Sequence, residues 1–205
     1  MSTSPKKILL VGAGGTLGKA VAQHLRQLGH EVIGASRNDP SHPIDLRSDD
    51  SVSALLGRLG PLDAIIATTG KVHFGPLPEM DAAQFDVGLQ DKLLGQVRLA
   101  LLGQHHLNAG GSITLTTGIL TEQPIAQGAS ATAVNAAVEG FVRAAALELR
   151  NGVRINAVSP SVLTEALDSY GPFFPGFEPV DAARAALAYQ RSVEGIGNGQ
   201  VFKVW

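Results

Sequence analysis

The chain has 205 residues, a formal net charge of -2 and no cysteine, which excludes a disulfide framework, thiol chemistry and a basic nucleic-acid surface. No apolar run approaches the roughly 20 residues of a membrane span, and Met1 to Lys7 lack a signal peptide's apolar centre. A soluble, cytoplasmic protein with neither membrane nor nucleic-acid partner is expected, built as one α/β domain over residues 1–205.

Ile8-Leu9-Leu10-Val11 reads as a short buried strand that runs into glycines. Leu17, Ala20, Val21, Leu25 and Leu28 then recur at helical spacing and stop at Gly29. A strand, a glycine turn and a helix form the first half of a dinucleotide-binding unit. There the helix N-terminus presents free N–H groups to a pyrophosphate, and glycines let the backbone approach it. Gly-x-Gly-x-x-Gly would need glycine at position 17, where Leu17 stands. Gly12, Gly15 and Gly18 fit Gly-x-x-Gly-x-x-Gly, while Gly12 and Gly18 also fit Gly-x-x-x-Gly-x-Gly with Thr16 at its middle glycine. The expected phosphate cradle is Gly12, Gly14, Gly15, Thr16, Leu17 and Gly18.

Glu31 to Ser36 reads as the second strand, broken by Arg37-Asn38-Asp39-Pro40. At this strand's tip an acid would hold a ribose 2′-hydroxyl, and an arginine would accommodate a 2′-phosphate. The tip here is Ser36-Arg37 with no acid before Asp39, so NADP(H) is expected over NAD(H).

Ser48 is placed to cap a helix carrying Val52, Leu55, Leu56 and Leu59, and Leu62 to Ala67 reads as a third buried strand opening into Thr68-Thr69-Gly70. Asp81 to Leu107 is helical in pattern, with Gly88 and Gly95 weakening its continuity. Ser112 to Thr117 is the next strand, Ala129 to Arg150 an alanine-rich helix, and Val153 to Val158 a further strand. Tyr170, Phe173, Phe174 and Phe177 follow in a proline- and glycine-rich stretch that either covers an apolar pocket or packs on the core or a partner subunit. A short helix from Val180 to Gln190 leads to a last strand, Gln200 to Trp205. This alternation predicts a Rossmann-type, doubly wound, mostly parallel sheet in three α/β/α layers. His105-His106 lack a third ligand, so no metal site is expected.

Several further segments stand in a familiar order. Asp45-Leu46 resembles an adenine-pocket Asp-hydrophobic pair, and Ala67-Thr68-Thr69-Gly70 occupies the place of Asn-Asn-Ala-Gly. Asn135-Ala136-Ala137-Val138-Glu139-Gly140 is similar to the run that begins with a catalytic lysine. Arg154-Ile155-Asn156-Ala157-Val158-Ser159-Pro160 is similar to Arg-hydrophobic-Asn-x-hydrophobic-x-Pro-Gly, with Ser161 in place of the last glycine. Over nearly its whole length the chain resembles the short-chain dehydrogenase/reductase family, and most closely its atypical short members. That resemblance implies cofactor contacts at Gly12, Gly14, Gly15, Thr16, Leu17, Gly18, Ser36, Arg37, Asp45, Leu46, Thr68, Thr69, Gly70 and Pro160.

It also implies a divergent active site. The Tyr-x-x-x-Lys register falls on Ala131 and Asn135, the serine's place on Thr117 or Gly118, and the asparagine's place on Lys92. Alanine cannot exchange a proton, and a positioned general acid is worth about 10² to 10⁴ in rate. Lysine and asparagine are thus exchanged between two helices. Lys92 is expected to reach the nicotinamide ribose or a substrate oxygen, partnered by Asn135 and Thr117; a solvated helix lysine is the plainer alternative. His73 is a candidate replacement acid, or else a polar loop histidine, and Tyr170 is a further candidate. The implied function is an NADP(H)-binding oxidoreductase acting on an unidentified small molecule, or a non-catalytic NADP(H)-binding sensor or scaffold. Family members commonly pair through helices corresponding to residues 90–107 and 129–150, which implies a homodimer or homotetramer.

Overall fold

The computed structural model describes residues 4–205. Six strands, β1 (Lys7–Val11), β2 (Glu31–Ala35), β3 (Leu62–Ala67), β4 (Leu107–Thr116), β5 (Arg154–Pro160) and β6 (Val201–Val204), form one sheet. Its order is β2-β1-β3-β4-β5-β6, and every neighbouring pair is parallel. Successive strand side chains face opposite ways, so β1 feeds both layers. Ile8 and Leu10 pack against Val21 and Leu25 of α1 (Thr16–Gln27) and Ala185 and Tyr189 of α7 (Ala182–Glu194). Leu9 and Val11 belong to the opposite core with α2 (Asp49–Leu59), α4 (Gly95–Gly103) and α5 (Ala129–Ala145). The expected three-layer Rossmann-type architecture is therefore present. Its topological switch point lies between β1 and β3, where the strand order runs outward in both directions.

Local signals act where their chemistry directs. The Ser48 hydroxyl accepts Ser51 N–H at 3.2 Å and caps α2. Gly29, at φ +89°, turns the chain out of α1. Three boundaries differ from the sequence reading. The helical stretch after Asp81 comprises α3 (Ala82–Gly88), a π-helical segment Leu89–Leu94, α4 and a 3₁₀ turn Gln104–His106, so Leu107 already pairs with Leu62 as the first residue of β4. The long helix ends at Ala145 rather than Arg150. Its exit tightens through Leu147 N–H to Ala144 O and Glu148 N–H to Ala145 O, and Asn151 and Gly152 at positive φ reverse the chain into β5. The last helix, α7, runs on to Glu194.

Beneath the sheet, hydroxyls fasten α7 to the strands. Thr116 Oγ1 donates to Ala67 O at 2.5 Å, so it accepts from the Tyr189 hydroxyl at 2.6 Å. Ser192 Oγ bonds Thr114 Oγ1 at 2.7 Å and accepts Asn156 Nδ2 at 3.1 Å. Tyr189 is fully buried, which pushes its phenol well above the ordinary tyrosine range. Its role is structural. Tyr189→Phe is expected to lower stability by about 1 kcal/mol in denaturant unfolding while leaving cofactor affinity unchanged.

Candidate active site

The glycine turn is built on close backbone approaches. A Cβ on Gly18 would lie 2.1 Å from Gly12 O, and one on Gly12, itself at φ +89°, would lie 2.9 Å from Thr68 O. Thr68 supports this turn, donating through N and Oγ1 to Val11 O at 2.9 and 3.2 Å. Leu17 is buried in the core and offers only its backbone. Gly14, Gly15 and Thr16 are exposed. Nothing lies within 4 Å of a Cβ placed on Gly14, and Gly15 caps α1 without a side chain. The first-turn N–H groups of α1 therefore face open space, the arrangement that a phosphate requires.

Beside this turn, at the carboxyl ends of β1, β2 and β3, a cavity of about 230 Å³ is lined by Gly12, Ser36, Arg37, Asp45, Leu46 and Thr69, together with Asn38 and Asp91. Arg37 is exposed and makes no hydrogen bond or ion pair among the described residues, so its guanidinium is free to take an anion. Asp45 is held: Arg47 bonds it at 2.9 and 3.1 Å and keeps its carboxyl down at about 2.

A second cavity, also of about 230 Å³, opens at the carboxyl ends of β3, β4 and β5. Lys92, Asn135, Thr117, Gly70 and Pro160 contribute to it, and Ala131 lies in its wall. Lys92 sits in the π-helical segment, a helix form concentrated at functional sites. Two contacts fix it there. Gly70, at φ +130°, lies so close that an added Cβ would come 2.6 Å from Lys92 Cγ. Gln96 is fully buried; its Nε2 donates to Lys92 O at 3.1 Å and Thr116 O at 2.9 Å, and its Oε1 accepts Thr116 N–H at 2.7 Å. The Lys92 ammonium has no partner among the described residues, and burial pushes it down to about 8. Asn135 is buried, and its Oδ1 likewise has no hydrogen-bond partner.

The two other sequence candidates are placed differently, Thr117 in the cavity lining and His73 outside it. The Thr117 hydroxyl donates to Glu139 at 3.2 Å, a buried carboxylate that also binds Arg143, so the hydroxyl is already engaged. His73 does not line the cavity. In the extended loop its neighbours Val72 and Phe74 turn inward, and its own Nε2 lies over Gly75. Tyr170, on the short helix α6 (Leu167–Tyr170), does line the cavity with Phe174, and its ring stands 5.8 Å from that of Phe74. The aromatic stretch is thus a wall of the site that also packs on a small apolar cluster around Ile119 and Leu120. His105 and His106 join no metal-binding group among the described residues.

A family model described as Enoyl-(Acyl carrier protein) reductase matches residues 12–202, nearly the whole chain. The chain belongs to the short-chain dehydrogenase/reductase family. Among solved structures of this fold, the protein lin1944 from Listeria innocua is 46% identical with a TM-score of 0.94, over 97% of this chain and 99% of that one. A small-chain dehydrogenase crystallised with NADPH is 26% identical with a TM-score of 0.87, over 98% and 97%. An uncharacterized oxidoreductase of Mycobacterium tuberculosis strain H37Rv is 26% identical over 193 residues, 82% of this chain and 72% of its own. No helix among the described residues is long and apolar enough to cross a membrane.

Sequence reading missed Gln96, Asn38, Asp91 and Glu139. Gln96 and Glu139 follow Lys92 and Asn135 by one helical turn, so spacing alone would have placed each beside its candidate. For Asn38, on the turn after β2, and Asp91, in the π-helical segment far along the chain, no such local signal exists.

Proposed function

We propose that this chain is an NADP(H)-dependent oxidoreductase whose active site replaces the family's Tyr-x-x-x-Lys pair with Lys92 and Asn135. The observation carrying this reading is that an unpartnered ammonium and an unpartnered amide oxygen share one cavity beside an open glycine turn. The turn from Gly12 to Gly18 would hold the pyrophosphate, and Arg37 with Ser36 the 2′-phosphate. The nicotinamide, when bound, supplies hydride transfer. Lys92 holds or protonates a substrate oxygen, Asn135 orients it, and the walls from Val72, Phe74 and Phe174 keep water out.

The test is a fluorescence titration with NADPH and NADH in parallel. NADPH is expected to bind more tightly, and Arg37→Ala to weaken it roughly ten- to hundredfold while sparing NADH, as loss of a charged hydrogen bond does. Equal binding of both by the wild type would remove the 2′-phosphate reading, and binding of neither would end the oxidoreductase reading. NADPH binding without turnover on any carbonyl or alcohol would make the chain a non-catalytic NADP(H)-binding module instead. A homodimer or homotetramer belongs to the same proposal. Leu101 on α4 and Leu147, two residues past the end of α5, are exposed apolar side chains on the segments that would pair. A monomeric mass by light scattering would refute that part.

A further inference from the structure

The Lys92 cavity has a chemical composition that restricts what can fill it. Among its described lining residues Lys92 is the only charged one. Its ammonium meets no carboxylate, and the nearest buried acid, Glu139, is committed to Thr117 and Arg143. An ammonium half-removed from water and left unpaired is costly unless an anion accompanies it. Asn135 adds a buried acceptor, Oδ1, that also lacks a partner and calls for a hydroxyl or N–H donor. Apart from the Thr117 and Ser161 hydroxyls, which already donate to Glu139 and to Glu178 O, the remaining wall is largely apolar and rich in rings, from Val72, Phe74, Leu120, Val162, Tyr170 and Phe174. The volume of about 230 Å³ lies below the roughly 300–1,000 Å³ of pockets that take drug-sized ligands.

We infer that the substrate is a small apolar or aromatic monocarboxylate with a hydroxyl beside the acid group, its carboxylate on Lys92 and its hydroxyl on Asn135 Oδ1. This rests on the reading of the cavity as the substrate site. The rings of Phe74, Tyr170 and Phe174 in the wall suit a phenyl or branched-alkyl body. A dicarboxylate is disfavoured because no second cation lines the cavity, and a sugar because the Thr117 and Ser161 hydroxyls already donate to Glu139 and to Glu178 O, leaving the Tyr170 phenol as the one further polar group among the described lining residues.

The experiment is calorimetric titration of the full chain at pH 7 with three probes of nearly equal shape: mandelate, phenylacetate and 1-phenyl-1,2-ethanediol. Mandelate is expected to bind best. Phenylacetate, lacking the hydroxyl, should bind about fivefold more weakly, and the neutral diol at least tenfold more weakly. Lys92→Met should reduce mandelate to the diol's affinity. Equal affinity for mandelate and diol, no binding of either, or an unchanged Lys92→Met variant would overturn the inference. The titration is repeated with saturating NADPH; if the cofactor abolishes mandelate binding, Lys92 serves the cofactor and the inference also fails. NADPH fluorescence on the same samples reports separately whether the cofactor reading stands.

Discussion

Replacing Gly18 by alanine is expected to cost about 3 kcal/mol or more in stability, lower Tm by roughly 10 °C and abolish NADPH binding. The added Cβ would stand 2.1 Å from Gly12 O, 2.8 Å from Gly12 C and 2.9 Å from Ala13 Cα. All three are backbone atoms of a turn that hydrogen bonds already hold, Gly12 N–H to Ala35 O at 2.8 Å and Gly15 N–H to Gly12 O at 3.1 Å. No rotamer change can relieve the clash, so α1 must move off β1. Gly14→Ala is the control, since nothing lies within 4 Å of its Cβ. Its thermal unfolding should match the wild type. If Gly18→Ala melted at the wild-type temperature, the close approach between the turn and α1 would be wrong.

Lys92→Met should do the opposite to stability. In the folded chain burial holds Lys92 at about 8, against roughly 10.4 for a free lysine. The native state therefore binds its proton less tightly than the unfolded state. The penalty is fully present below pH 8, falls as pH rises, and is gone above about pH 10.4. Its size at pH 7 is at most about 3 kcal/mol. Methionine keeps the packing of the stem against Gly70 without the charge. Urea unfolding at pH 7 should show a gain of up to that size, shrinking to nothing near pH 10.5. Activity or ligand affinity should fall in the same variant, the usual cost of stabilising a site built for binding. A variant that is destabilised at pH 7 would show that the ammonium has a partner in solution.

Most of the fold was legible because its signals are local. The buried strand at Ile8 to Val11, the glycines after it and the Ser48 cap each depend on residues a few positions apart. The open glycine turn before α1 was legible for the same reason. The substrate cavity was harder. Lys92 and Asn135 could be nominated only through a family register, and nothing in the sequence says that the Thr117 hydroxyl turns to Glu139 or that His73 stays out of the cavity lining. Those outcomes depend on which side of a loop or strand end faces the core. Helix ends failed where tertiary contacts decide: Leu107 left the helix to pair with Leu62 on β3.

The helical run around Lys92 has one more consequence. A π turn accommodates an additional residue within an otherwise α-helical rod, here between Gly88 and Gly95. Removing a single residue from that interval would let the backbone relax to ordinary α-helix with α3 and α4 still in register, and would take away the widened turn that carries Lys92. Gln96 anchors one side of the joint to the end of β4, while Gly88 anchors the other against Ser130 and Val134 of α5. Both anchors would survive such a deletion, and only the widened turn would be lost. Residue number in this interval is therefore as much a determinant of the site as residue identity, and substitutions alone would leave that determinant untouched.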